Sequence, residues 1–143
     1  MAGGQAAAEG GQVNGLHNGR DVFEYALLKV VPRVERGEMI NAGVIVYCRA
    51  RRFVEARTYL DEARLRALDP ACDVEGVRAA LAAVEGICHG GAQAGQAAED
   101  DAGRRFRWLI APRSTIVQPG PVHTGLTTDP TAEAKRLLEL LVR

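Results

Sequence analysis

The 143-residue sequence has no net charge, no long apolar run and few aromatic side chains. Lys+Arg and Asp+Glu both number 18, whereas a domain that binds polyanions over its whole surface is usually clearly basic. No apolar run approaches the roughly 18 residues of a membrane span, and the first residues lack the charged-then-apolar pattern of a signal peptide. These absences predict a cytoplasmic protein without membrane association, and they disfavour nucleic-acid binding.

Paired cysteines and the common catalytic motifs are also missing. The sequence contains an odd number of cysteines, and they are widely spaced: Cys48, Cys72 and Cys88. This pattern is not that of a disulfide framework. There is no C-x-x-C pair for zinc, no Walker loop, no G-x-G-x-x-G and no H-E-x-x-H. The sequence therefore predicts three reduced thiols and neither a metal nor a cofactor.

Residues 1–20 are rich in Gly, Ala, Gln and Asn and contain almost no large apolar side chains. Burial of such side chains is what offsets the entropy cost of ordering a backbone. We expect residues 1–20 to form a disordered tail and residues 21–143 to form a single domain, since this length supports one core.

Three apolar, alternating segments at 21–31, 40–48 and 53–60 predict consecutive strands in an antiparallel meander. Gly43 in the second strand predicts a bulge or a close backbone approach. Helices are expected at 62–68 and 74–88, each preceded by an aspartate N-cap.

The segment 104–111 (R-R-F-R-W-L-I-A) predicts a fourth strand, and 114–118 a short fifth strand. Pro119, Gly120 and Pro121 predict an irregular loop through residue 125, and Asp129-Pro130 starts a last helix. The order β-β-β-α-α-β-β-α predicts an α+β fold with a mostly antiparallel sheet of four to five strands. About three helices should pack mainly on one face of this sheet.

The first polar block, between the first two strands, contains Arg33, Glu38 and Asn41 together with Glu35 and Arg36. Arginines held by neighbouring glutamates would form a preorganised site for a carboxylate or phosphate. The alternative is a solvated turn with exposed ion pairs that contribute little stability. On charge pattern alone the solvated turn is favoured.

The second polar block contains Arg113, Ser114, Gln118, His123 and Thr124, between Pro112 and Pro121. Arg113 would bind an anion, and His123 would accept or donate a proton. One serine and one histidine without a third partner do not make a catalytic triad, so no catalytic residue is assigned.

Two arginine-rich pieces, at 49–52 and 104–107, lie beside Phe53, Phe106 and Trp108. Basic residues next to aromatic rings are typical of single-stranded nucleic-acid binding. These aromatic residues fall on predicted strands, where they are more simply core residues.

The segments Y-A-L-L-K-V-V-P-R-V-E-R-G-E-M-I-N-A-G-V-I-V-Y-C and W-L-I-A-P-R-S-T-I-V-Q-P-G-P-V-H-T-G-L resemble a bacterial family known as domain of unknown function 3037. The resemblance covers most of the chain from Phe23, and the family pattern E-x-x-N-x-G is present as Glu38, Asn41 and Gly43. It implies a small cytosolic protein without an established activity. Members are often encoded beside a HipA-like kinase, which implies a kinase partner but no catalytic residue.

The leading hypothesis is a non-enzymatic binding or accessory protein that partners a HipA-like kinase and binds an anion near Arg33 and Arg113. It predicts an exposed apolar patch or an open strand edge near the polar blocks. A small hydrolase or transferase acting on a phosphorylated substrate is the alternative, with Glu38 or His123 as acid or base in a shared pocket. Nucleic-acid binding is a weaker alternative, and it predicts both arginine-rich pieces on one face.

Overall fold

The computed structural model describes residues 19–90, 101–113 and 115–143, and it contains one four-stranded antiparallel sheet. The predicted tail lies almost wholly outside the described residues. The spatial order of the strands is β3-β2-β1-β4, so that the last strand returns to pair with the first. The strands are β1 (Asp21–Val30), β2 (Ile40–Cys48), β3 (Phe53–Thr58) and β4 (Val117–Thr127).

Four helices accompany this sheet in the described part of the chain: α1 (Glu62–Leu68), α2 (Val74–His89), α3 (Ala102–Leu109) and α4 (Pro130–Leu141). A short 3-10 turn, Arg49–Arg51, joins β2 to β3. The predicted α+β class, the antiparallel meander and the first two helices are confirmed. The helix count is four rather than about three.

Both faces of the sheet are buried in apolar cores. Successive side chains of a strand point to opposite faces, and β2 is apolar at consecutive positions, so it contributes to both cores. Ile45 and Tyr47 face a core shared with α1, α2 and α3, in which Phe106 is fully buried. Val44 and Val46 face a second core formed with α4. Each such aliphatic side chain contributes about 1.5–3 kcal/mol when fully buried. Helices α1, α2 and α3 therefore pack on one face of the sheet, whereas α4, the last helix of the predicted set, packs on the other face.

The predicted strand at 104–111 is wrong, since this segment is the helix α3. The Asp101 side chain accepts a hydrogen bond from the Arg104 backbone N–H at 2.9 Å, which caps the first turn. Ala102, Phe106 and Leu109 are buried at a spacing of four and then three residues, which is a helical period rather than a strand period. The segment's three arginines suit a helix, because arginine is a good helix former.

The predicted short strand at 114–118 and the loop at 119–125 are also wrong, because Val117–Thr127 is one continuous strand. Proline lacks the N–H that a central strand needs, yet it is tolerated at the edge of a sheet. β4 is an edge strand with β1 as its neighbour. A shift in the β1–β4 register between Ala26 and Leu28 accommodates Gly120 and Pro121. The corrected order of the described elements is β-β-β-α-α-α-β-α.

The predicted irregularity at Gly43 is confirmed. The β1–β2 register shifts between Leu28, which pairs with Gly43, and Lys29, which pairs with Asn41. A Cβ at position 43 would lie 2.9 Å from the backbone oxygen of Arg57. Only glycine allows β3 to approach so closely here.

None of the helices in residues 19–90, 101–113 and 115–143 is long and apolar enough to cross a membrane.

Candidate functional site

An apolar groove of about 630 Å³ lies between α2, α3 and the segment that leads into β4. Trp108 and Ile116 line it and remain 49% and 43% exposed, although both side chains are large and apolar. A concave surface of this size and character is typical of a binding site. The lining residues are Asp73, Gly76, Val77, Ala80, Ala83, Val84, Trp108, Leu109, Arg113, Thr115, Ile116 and Val117.

The groove is open because α2 presents short side chains to it. Val77 and Leu81 point into the core and hold the helix on the sheet. Ala80 and Ala83 lie on the groove side and carry only a methyl group each. The alanine-rich sequence of α2 thus leaves a channel where larger residues would have packed against Trp108.

Arg113 lies at the rim of the groove in a fixed position. Its guanidinium lies 5.0 Å from the centre of the Trp108 ring. Nη2 donates a hydrogen bond to the Trp108 backbone oxygen, and Nε donates to the Ala111 backbone oxygen at 3.2 Å. These contacts cap the carboxyl end of α3, where a cation is favourable. No carboxylate of the described residues pairs with Arg113, so its charge is available to a ligand.

Residues 33–38 of the first polar block form a turn exposed to solvent. Arg33 pairs with Glu35 at 2.9 Å and Arg36 pairs with Glu38 at 2.8 Å, and all four side chains are more than 40% exposed. The hydrogen bond from Arg36 lowers the pKa of Glu38. The pKa of Glu35 is also lowered, first by a backbone hydrogen bond and then by Arg33. Exposed pairs of this kind contribute little stability, and both arginines already have an acidic partner.

Asn41 holds two elements together. Its Nδ2 donates to the backbone oxygen of Leu141 at 3.1 Å, and its Oδ1 accepts from Lys29 Nζ at 3.1 Å. The side chain thus fixes the carboxyl end of α4 against β2. With the close approach at Gly43, this accounts structurally for the Asn and Gly of the E-x-x-N-x-G pattern.

The other members of the second polar block lie along β4, except Ser114, which is outside the described residues. Gln118 is opposite Lys29, and its Nε2 donates to the Thr115 backbone oxygen at 2.7 Å. His123 is exposed, with its ring centre 5.2 Å from that of Tyr25. Thr124 is exposed opposite Glu24.

The structure brings some of the predicted site residues together and separates others. Gln118, Lys29 and Asn41 occupy neighbouring positions on β4, β1 and β2. The segment before the first block also contacts the second block's segment, since the Val31 N–H donates to the Ile116 backbone oxygen at 2.7 Å. Arg113 lines the groove, whereas neither Glu38 nor His123 does.

The residues that line the groove were mostly not identified from sequence. The prediction that Trp108 is a core residue on a strand is wrong, because this side chain is half exposed on α3. Ala80, Ala83 and Ile116 belong to no motif, and the groove as a whole is lined by residues from three separate segments. The sequence feature that indicates the groove is the alanine-rich face of α2. It predicts an open space beside this helix but does not show which other residues border that space.

The described residues show no reactive cluster of a familiar kind. They contain no group of three or more His, Cys, Asp or Glu side chains that could hold a metal ion. Burial raises the pKa of the Cys88 thiol to about 12 and also raises that of Cys48. Both are therefore neutral thiols at neutral pH, and the thiolate is the nucleophilic form.

The family described as "Protein of unknown function (DUF3037)" matches residues 25–142. This range contains nearly the whole sheet and all four described helices. Comparison with curated proteins and with solved structures gives no match. The resemblance based on Glu38, Asn41 and Gly43 is thus confirmed, and the chain belongs to this family of proteins of unknown function.

Proposed function

We propose that this protein is a binding protein whose groove between α2 and α3 holds an apolar, acidic segment of a protein partner. The observation that carries the proposal is the open apolar groove with Trp108 and Ile116 exposed in it. The HipA-like kinase that the family resemblance suggests is the partner we propose. A cytoplasmic location belongs to the same proposal.

The chemistry of the groove defines the segment that fits it. The walls are apolar, so the partner must present apolar side chains to them. Arg113 is fixed at the rim without an acidic partner in the described residues, so an aspartate or glutamate of the segment would complete a charge-assisted hydrogen bond. This is the anion that we propose for the predicted anion-binding residue Arg113.

The energetics favour a protein segment over an isolated small ligand. Full burial of an apolar side chain contributes about 1.5–3 kcal/mol, whereas association costs about 4–15 kcal/mol in lost freedom of motion. A ligand must therefore cover several side chains at once. A segment lying along α2 would reach Ala80, Ala83, Trp108 and Ile116 together.

The geometry supports binding better than catalysis. The hydrolase or transferase alternative needs Glu38 or His123 in a shared pocket, and neither residue lines the groove. Glu38 is paired with Arg36 in an exposed turn. The binding hypothesis predicts an exposed apolar patch or an open strand edge near the polar blocks, and the apolar groove beside Arg113 supports it.

Calorimetric titration of the purified protein with a purified HipA-like kinase from the same organism tests the partner. Ile116→Glu places a charge in the groove, and Leu140→Glu is the matched control, since Leu140 is 67% exposed on α4. We expect the wild type and the control to bind alike and Ile116→Glu to bind at least about tenfold more weakly, a loss of about 1.4 kcal/mol. Absence of binding would overturn the kinase as partner, and equal binding by all three would overturn the groove as its site.

A photo-crosslinking amino acid at position 116, compared with the same group at position 140, tests the groove without assuming the kinase. We expect position 116 to capture one segment that contains apolar residues and an Asp or Glu. Arg113→Gln should reduce its yield and Arg113→Lys should restore part of it. Capture of a basic segment, or equal capture from both positions, would contradict the proposed chemistry.

A further inference from the structure

A second, polar concavity of about 460 Å³ lies at the 3-10 turn after β2 and the first turn of α3. It shares no lining residue with the apolar groove. Both arginine-rich pieces of the sequence contribute to it, because Arg49 and Arg52 come from the turn and Arg105 comes from α3. The lining residues are Tyr47, Arg49, Arg52, Asp101, Ala102, Gly103 and Arg105.

The arginines of these two pieces differ in what they contact. Arg51 pairs with the buried Asp21 at 2.8 Å, and Arg107 pairs with Glu24 at 2.9 Å, so both have structural partners outside the concavity. Arg49 and Arg52 form no ion pair or side-chain hydrogen bond with another described residue. Arg49 and Arg52 are therefore the two guanidinium groups available to a ligand, whereas Arg105 has interactions of its own.

Arg52 adopts a backbone conformation that is unfavourable for any residue with a side chain. Its φ of 50° and ψ of 44° are left-handed, and no other non-glycine residue in the described ranges has a positive φ. Its backbone N–H donates to the Arg49 oxygen at 3.1 Å and closes the turn. Glycine is the residue that such a position favours, so the turn itself does not explain an arginine whose side chain lines the concavity.

Gly103 is the second residue that is unfavourable for its local structure. It is the second residue of α3, and glycine is a poorer helix former than alanine. A Cβ there would lie 2.8 Å from the Tyr47 hydroxyl oxygen. Glycine therefore lets the Tyr47 hydroxyl reach the concavity beside α3. Two departures from local preference meet at one place, which is typical of functional sites.

We propose that this concavity binds the phosphate of a small ligand of about nucleotide size. Guanidinium groups match phosphate oxygens with paired hydrogen bonds, and Arg49 and Arg52 supply two of them. Among the described lining residues, Asp101 supplies the carboxylate, and it caps α3 by accepting a hydrogen bond from the Arg104 N–H. Nucleotide-sized ligands occupy pockets of about 300–1,000 Å³, and the balanced net charge of the chain disfavours a long polyanion.

Calorimetric titration with pyrophosphate and with ADP tests the site. Arg52→Gly is the informative variant, because glycine suits the left-handed position and the guanidinium alone is lost. We expect it to weaken binding by about tenfold or more while the free energy of unfolding stays equal or rises. Arg49→Gln should weaken binding similarly. Arg64→Gln, an exposed arginine on α1 beyond the opposite end of β3, should bind as the wild type does.

Absence of binding to both pyrophosphate and ADP at low salt would overturn the proposal, as would equal binding by Arg52→Gly and the wild type. A short single-stranded oligonucleotide is the third ligand. If it binds much more tightly than ADP through the same arginines, the ligand is a nucleic acid and the small-molecule assignment is wrong. None of these outcomes depends on the apolar groove, whose variant Ile116→Glu should leave phosphate binding unchanged.

Discussion

Replacing Gly43 by alanine would press a methyl group against the backbone of β3. The new Cβ would lie 2.9 Å from the Arg57 oxygen and 3.1 Å from side-chain atoms of Leu28 and Thr58. The Arg57 oxygen cannot move away freely, because Gly43 and Thr58 are paired in the β2–β3 ladder. β2 itself is held between two cores and has no room to shift.

The expected cost follows from these contacts. Forcing an extra carbon into a well-packed interior typically costs about 1–3 kcal/mol. Alanine recovers about 0.4–1 kcal/mol by restricting the unfolded chain. With values near the middle of both ranges, we expect Gly43→Ala to lower the free energy of unfolding by about 1–2 kcal/mol, a large part of the roughly 5–15 kcal/mol that stabilises a domain.

Gly86→Ala is the matched control, since it is the same substitution on α2. A Cβ at position 86 would have no heavy atom within 4 Å, and alanine in a helix is more stable than glycine by about 0.5–1 kcal/mol. Equilibrium urea unfolding of both variants measures the difference. If Gly43→Ala is neutral or stabilising while Gly86→Ala behaves as expected, the close approach of β3 does not determine the residue at position 43.

Three further predictions concern other contacts. Asn41→Ala should lower the free energy of unfolding by about 1–3 kcal/mol in urea, because it leaves a part-buried α4 carbonyl and Lys29 without their hydrogen-bond partner; no loss would mean that water replaces Asn41. The guanidinium of Arg78 and then that of Arg66 lower the pKa of Glu62 below 4.5, so its stabilisation is present above that pH and lost as pH falls through the folded-state pKa. Glu62→Gln should flatten this acid-side loss in unfolding curves, and an unchanged slope would contradict it. Burial raises the pKa of the Cys88 thiol to about 12. Iodoacetamide should therefore label the more accessible Cys72 before Cys88 in the native protein, and it should label both thiols in urea. Equal labelling rates in the native protein would contradict the burial of Cys88.

Strands β1, β2 and β3 were predictable because their signals are local. Apolar runs of five to ten residues are interrupted by a proline or a cluster of charges, and nothing in the tertiary structure competes with this pattern. The Asp61 and Asp73 caps were predictable for the same reason, since each accepts a backbone hydrogen bond within its own helix.

The segment 104–109 was not predictable in the same way. Over six residues, R-R-F-R-W-L satisfies both a strand and a helix pattern, and only the cap at Asp101 and burial of Ala102 distinguish them. The prediction of β4 requires its position in the sheet, which depends on residues far away in the sequence. Pro119 and Pro121 exclude a central strand but not an edge strand, and whether a strand lies at the edge is decided by the order of the whole sheet.

The candidate site was predictable only in part. Arg113 is identifiable by its charge, but its neighbours in the groove come from α2 and from the segment before β4. Asn41 is the opposite case. The sequence motif identifies it as a site residue, but in the structure its side chain holds α4 against β2. Sequence patterns show which residues are special, whereas only the packed structure shows whether they serve the fold or a ligand.

The second core has a consequence for how the chain is made. Phe23, Val44, Val46 and Cys48 face only α4, which is the last described element in chain order. During translation at about 5–20 residues per second, this apolar face of the first three strands waits several seconds for residues 130–141 to leave the ribosome. We therefore expect the nascent sheet to be prone to aggregation until its last helix is available, and slow translation of that helix to increase aggregation rather than aid folding.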